Sequence, residues 1–361
     1  MIPISRPNIG PEDEEAVLRV LRSGRLAQGP EVAAFEEEFA TLCGVPHAVA
    51  CANGTAALHI ALLAHGIGAG DEVIIPTFTF AATANAVLAC GARPVFCDVR
   101  EDDFSIDVED AERRIGRATR AVMPVHLYGQ VADMDAVAAL AGEHDLAVIE
   151  DACQAHGASF KGVRAGAFST AAFSLYATKN SMSGEGGMLT TRDPEIARSL
   201  RLLRNHGMEQ RYVHLSFGLN LRLTEIAAAL GRTQLKKLED GNARRRDNAA
   251  FYGKTLDGID GLTLPQELSG RDHVWHQYTV RVAGDRRDAV LQYVQQHGVG
   301  ADVYYPTPVH RQPAYSSGAD VELPVSDRLA REVLSIPVHP SLTDRERETV
   351  ASVLADAMER A

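Results

Sequence analysis

Cysteine is scarce here, and its spacing argues against two kinds of scaffold. The 361 residues hold five cysteines (Cys43, Cys51, Cys90, Cys97 and Cys153), an odd number with no C-x-x-C pair. That argues against a disulfide framework and against a metal site, and suits small buried thiols in a reducing compartment. No apolar run reaches membrane length, and no charged-then-apolar leader follows Met1. The expected setting is therefore the cytoplasm, with no membrane partner. Positive charge is in the minority: 36 Lys and Arg against 48 Asp and Glu, a formal net charge of −12. Nucleic-acid binding, which needs clustered cations, is not expected, although a local basic pocket can still take an anionic substrate. No G-x-G-x-x-G follows an apolar strand. Gly66, Gly68 and Gly70 come after a helical stretch and read as a cap and turn, which weakens a nicotinamide-dehydrogenase reading. Internal repeats and low-complexity linkers are also missing.

What is present is an ordinary globular balance, 45% hydrophobic and 23% charged, with length for one large domain and a smaller one. Residues 1–10 read as extended, because Pro3 and Pro7 prevent an early helix. From residue 11 to 248 short apolar runs alternate with helical patterns. The runs include His47–Ala52, Asp71–Pro76, Pro94–Val99, Ala121–His126, Leu146–Ile149 and Thr170–Leu175. This alternation predicts an α/β domain with a mostly parallel central sheet and helices on both faces. From 249 to 361 the pattern changes to a smaller α+β domain. Strands are expected at Trp275–Val282, 300–305 and Val333–Val338, with helices at Arg286–Gly298 and from Asp344 to the end.

Two stretches carry the chemistry. Leu146–Ile149 ends in Glu150-Asp151, so an acid sits at the carboxyl end of a buried strand, where open α/β sheets place ligands. The strand Thr170–Leu175 leads to Lys179, and Ser181, Ser183, Gly184, Gly186 and Gly187 follow at once. Most lysines are solvated, but one held in a crowded turn can be kept neutral and nucleophilic. Lys179 follows Asp151 by 28 positions, room for the two side chains to meet over one site. A Schiff-base lysine and an aspartate facing a ring nitrogen are what pyridoxal 5′-phosphate requires. Asn53-Gly54-Thr55 opens a helix after a strand, which suits an anion.

The stretches EDACQAHGA, FSLYATKNSMSGEGG and GLNLRLTEIAAALG resemble the pyridoxal-phosphate-dependent sugar aminotransferases of the DegT/DnrJ/EryC1/StrS family. ISRPNIG, ANGTAALHIAL and YYPTPVHRQPAY fit as well, so the likeness covers essentially the whole chain. It implies the aspartate aminotransferase-like type I fold and pyridoxal 5′-phosphate as cofactor. By the resemblance Lys179 and Asp151 are catalytic. Gly54, Thr55, Ser174 and Asn220 hold the phosphate, and Gln154 bonds the phenolic oxygen. Phe80 stacks on the ring, with Phe78 as the rival. Asn220 would reach the neighbouring subunit's site, implying a homodimer with shared active sites. Arg222, His310 and Tyr305 are expected at the substrate, Arg222 on an anion. His126 is left out as structural. The implied reaction is a ping-pong transfer of an amino group, from glutamate, to a nucleotide-linked keto sugar. An aminocyclitol ketone as acceptor and a non-catalytic regulatory or sensory role are the alternatives. Relatives that act as dehydratases resemble this chain with a histidine at the lysine position, whereas here Lys179 is present.

Overall fold

The structure is a computed structural model that describes residues 1–315 and 321–360. Seven strands form the central sheet: β1 (His47–Cys51), β2 (Glu72–Pro76), β3 (Arg93–Cys97), β4 (Thr119–Val122), β5 (Ala147–Asp151), β6 (Thr170–Ser174) and β7 (Gly187–Thr191). Their spatial order is β1-β7-β6-β5-β4-β2-β3. The pairs β2/β3, β2/β4, β4/β5 and β5/β6 are parallel, and β7 runs antiparallel to both of its neighbours. This is the mostly parallel sheet that the strand–helix alternation predicts.

Both faces are covered, so consecutive strand residues enter different cores. Ile74 packs with Phe35, Phe39, Val122 and Phe173 on one face, whereas Ile75 packs with Leu58, Ile60, Met123 and Leu189 on the other. The helices of this part are α1 (Pro11–Ser23), α2 (Pro30–Cys43), α3 (Gly54–Ala64), α4 (Ala82–Ala89), α5 (Val108–Arg113), α6 (Met134–His144), α7 (Pro194–Arg204) and α8 (Glu225–Lys236). Pro11, Pro30 and Pro194 each sit in a first turn, where a missing N–H is harmless. Helix α8 starts at the Thr224 cap, whose side chain accepts from Ala227 N at 3.2 Å.

Helix α9 (Leu238–Thr255) crosses residue 248, the expected domain boundary, without a break. Its first half meets the part of the chain that carries the central sheet, since Asn242 donates to His156 O at 2.9 Å. Its second half places Ala249, Tyr252 and Leu256 in a separate core. That core is built on a three-stranded antiparallel sheet of β8 (Leu262–Thr263), β9 (Tyr278–Val282) and β10 (Val333–Ile336). Helices α10 (Arg287–Gln296), α11 (Pro324–Glu332) and α12 (Asp344–Arg360) complete this part.

Of the strands expected in the C-terminal part, one starts later than the sequence pattern suggests and one is absent. Trp275–Val282 becomes a strand only from Tyr278, because Trp275 adopts a left-handed φ of 46°. Residues 300–305 form no strand: Asp302 makes a single bridge to Ser335, and Tyr305, at φ 67°, turns the chain away.

Strand alternation also separates the two neighbouring acids of β5. Glu150 is fully buried and accepts from His126 Nε2 at 3.0 Å and from the backbone N–H groups of Gly166, Phe168 and Ser169. That bond explains why His126 belongs to the scaffold. Asp151 is left for the other side. Replacing Glu150 strands several buried donors, so Glu150→Ala is expected to lower unfolding stability by about 3 kcal/mol. Urea denaturation of the cofactor-free protein measures this, and a loss below about 1 kcal/mol contradicts it.

Candidate active site

A cavity of about 710 Å³ opens beyond the carboxyl ends of β5 and β6 and the first turn of α3. In open parallel sheets this is where strand ends diverge and ligands bind. Gly54, Thr55, Phe80, Asp151, Gln154, Ser174, Lys179 and Tyr305 all line it.

One wall is the start of α3. Asn53 caps the helix, its Oδ1 accepting from Ala56 N at 2.8 Å. The preceding amides, of Gly54 and Thr55, lie in the first turn, where no helical acceptor exists for them. They and the positive end of the helix dipole face the cavity beside Ser174. Glycine is required at 54 by space: a Cβ there would lie 2.8 Å from Ser174 Cβ and 3.2 Å from Cys153 Sγ.

Asp151, 5% exposed, holds the floor. Its Oδ2 accepts from Thr83 Oγ1 at 2.8 Å, and its Oδ1 from Cys153 N at 3.3 Å. Thr83 is itself tied to Thr79 by a 3.0 Å hydroxyl pair. Gln154 is also fixed at both ends: Oε1 accepts from Tyr128 N and Nε2 donates to the Tyr305 hydroxyl, each at 2.8 Å. Phe80 is 62% exposed with its ring at the cavity, whereas Phe78 is buried against Phe104 and Tyr305. Of the two, Phe80 is the one free to stack on a ligand.

Lys179 stands in a closed turn. Its N–H donates to Tyr176 O, Ser183 N donates to Leu175 O, and Leu175 N to Gly186 O, all at 2.8 Å. The next residue, Asn180, donates to Asn242 Oδ1 at 2.9 Å and Val274 O at 3.0 Å. The lysine pKa is lowered, first because burial removes water from the ammonium, with Cys153 and Asp151 pulling the other way.

Three expected site residues lie elsewhere. His310 is buried outside the cavity, its Nδ1 2.7 Å from Thr77 Oγ1 and its Nε2 3.6 Å from Asp327. Burial pushes its pKa down. Its ring lies against Phe96, and it lines a separate, smaller pocket with Phe96 and Tyr315. Asn220 and Arg222 are exposed and bond each other, Arg222 Nε donating to Asn220 Oδ1 at 2.9 Å. Neither lines this chain's own cavity. The sequence reasoning missed Thr83, Cys153, Asn180 and His276. Cys153 lies within the quoted EDACQAHGA stretch, one residue before Gln154, and could have been found there. Thr83 and His276 carry no signal, since tertiary packing alone brings them in.

The sequence model of the DegT/DnrJ/EryC1/StrS aminotransferase family matches residues 7–355. A dTDP-3-amino-3,4,6-trideoxy-alpha-D-glucose transaminase of Streptomyces venezuelae is 45% identical over 353 residues, 97% of this chain and 93% of that one. A protein of Saccharopolyspora erythraea named erythromycin biosynthesis sensory transduction protein EryC1 is 44% identical, covering 94% of both chains. The crystal structure of Streptomyces venezuelae DesV in complex with a ketimine intermediate superposes with a TM-score of 0.94 at 44% identity, over 97% of this chain and 95% of that one.

An amine whose pKa is lowered by burial reacts at lower pH than a surface lysine. In the cofactor-free protein Lys179 is expected to be modified by an amine-directed reagent already near about pH 8, where ordinary lysines are protonated. Peptide mass spectrometry across pH checks this, and labelling that only parallels the surface lysines contradicts it.

Proposed function

The chain belongs to the DegT/DnrJ/EryC1/StrS aminotransferase family, and on that premise we propose that it moves an amino group from glutamate to a nucleotide-linked keto sugar, with pyridoxal 5′-phosphate as cofactor. The observation that carries this reading is the convergence of Lys179 and Asp151 on one cavity with a helix N-terminus at its wall. The cavity suits the cofactor part by part. The first turn of α3 and Ser174 suit a phosphate, the Asp151 carboxylate a pyridine nitrogen, and the exposed Phe80 ring a flat heterocycle. Gln154 suits a phenolic oxygen.

Bound there, the cofactor supplies an electron-poor ring that accepts the electrons of a breaking C–H bond. The protein's own share is positioning and proton transfer. The Lys179 amine is the nucleophile that anchors the group. Once free, its Nζ would take the proton from the amine-bearing carbon of the donor and, in the return half-reaction, give one to the keto carbon of the acceptor. Asp151 is pinned by Thr83 and Cys153 N, so its carboxylate would be held in one orientation for the ring nitrogen. The apolar walls (Phe80, Val125, Tyr304) limit the water that reaches the site. With the acceptor of the Streptomyces venezuelae relative in view, 3-keto sugars carried on dTDP are the first class to test.

The loop bearing Asn220 and Arg222 supports a homodimer in which each chain completes its partner's site. Beside these two residues Tyr212, Leu215, Phe217 and Leu219 are all exposed, and Phe217 is 70% so. An apolar patch of this kind suits a protein partner. The five free cysteines and the biosynthetic reading support a cytoplasmic location. A purely sensory role, suggested by the name of the Saccharopolyspora relative, is the second reading, and turnover decides between the two.

The holoprotein is expected to lose its visible absorbance on adding glutamate and regain it on adding a nucleotide-linked keto sugar. A band that glutamate leaves unchanged contradicts the enzyme reading, and one restored by an aminocyclitol ketone alone contradicts the sugar. Asp151→Asn is expected to keep the cofactor and lose about a hundredfold or more in rate; near-normal turnover counts against its role. Gly54→Ala places a methyl group against Ser174 and is expected to weaken cofactor binding about tenfold, read by fluorescence titration. Unchanged affinity there contradicts the phosphate assignment.

A further inference from the structure

We infer that His276 is a further positioning residue of this site, offering an amine a hydrogen-bond acceptor in the Lys179 cavity, and that Asn180 fixes it in that form. This rests on the aminotransferase reading, since the group to be oriented is an amine.

Val274 O can only accept. The Asn180 atom 3.0 Å from it must therefore be Nδ2. The same nitrogen reaches Asn242 Oδ1 at 2.9 Å, and Asn242 is itself oriented because its Nδ2 donates to His156 O. Asn180 Oδ1 is thus the atom that faces His276 Nδ1 at 3.1 Å. A carbonyl oxygen only accepts, so Nδ1 carries the ring proton and Nε2 keeps its lone pair. The tautomer follows from the network without any hydrogen being seen.

His276 is 8% exposed and lines the cavity with Lys179. Arg245 holds its backbone, donating to Trp275 O at 3.1 Å and His276 O at 3.2 Å. Among the described residues no hydrogen bond is made to Nε2, whereas Asp151 and Gln154 already accept from Thr83, Cys153 N and Tyr128 N. Burial first, and then whatever positive charge Lys179, Arg245, His156 and His273 carry, push its pKa well below the ordinary value, which favours the neutral ring. A neutral imidazole of this kind holds its acceptor through the working pH range. It can then orient an N–H of the amine without taking its proton.

Two measurements test this. The first is long-range 1H–15N correlation on cofactor-free protein labelled at histidine, with His276 assigned from the signals lost in His276→Gln. A protonated Nδ1 and a bare Nε2 from about pH 6 to 8 are expected. The opposite tautomer, or an imidazolium, overturns the inference. This readout needs neither cofactor nor turnover, so its failure is separable from failure of the aminotransferase reading. The second compares His276→Phe with His276→Gln in the glutamate half-reaction. His276→Phe, which has no acceptor, is expected to lose about tenfold in kcat/KM, equivalent to ~1.4 kcal/mol. His276→Gln, whose amide oxygen can accept, is expected to recover most of that. Equal losses in both variants, or none in either, overturn the acceptor role.

Discussion

The site depends on an ammonium being denied water. Lys179 is carried past the end of β6 into a turn closed by three backbone hydrogen bonds, and burial there shifts its balance toward the free amine. Asp151 and Cys153 oppose that shift, so the amine is poised between two influences and not simply neutralised. Everything else in the cavity either holds this amine in place or supplies a surface for what it would bind. A lysine on an open loop would have the same sequence neighbours and none of this chemistry.

The scaffold reaches this result with ordinary devices. Strand alternation sends Glu150 into a structural network and Asp151 into the cavity, so adjacent acids do unrelated work. Gly54 lets α3 approach β6 so closely that the helix N-terminus becomes part of the wall. Residues distant in sequence then close the site. Asn180 ties the lysine turn to α9 and to the segment before β9, and Tyr305 brings the C-terminal part of the chain to Gln154. The cavity, the lysine turn and the C-terminal core are therefore coupled through a few hydrogen bonds.

Much of this was legible in the sequence. The sheet could be read because buried strands bounded by turn residues alternate with helical patterns, and Lys179, Asp151, Gly54 and Phe80 lie at strand ends or helix starts, where local rules apply. His310 was expected at the substrate from the resemblance of the YYPTPVHRQPAY stretch, and a shared stretch does not fix which way each side chain points. The left-handed Tyr305 sends its own ring into the cavity, while His310 lies on Thr77 outside it. The strand expected at 300–305 failed for the same reason. Thr83 and His276 were invisible because their roles arise from contacts across 68 and 96 positions of chain, which no local pattern encodes. Asn220 and Arg222 are legible as a motif, and in the structure both are exposed and bond each other outside this chain's own cavity.

The central claim is that one amine and one carboxylate serve opposite ends of the same flat heterocycle. A crystal structure of the protein grown with pyridoxal 5′-phosphate tests it most directly. The account predicts continuous density from Lys179 Nζ to the cofactor, with an Asp151 carboxylate oxygen within hydrogen-bond distance of the ring nitrogen. Cofactor bound elsewhere, or bound here with Lys179 unlinked and Asp151 turned away from the ring, would contradict it.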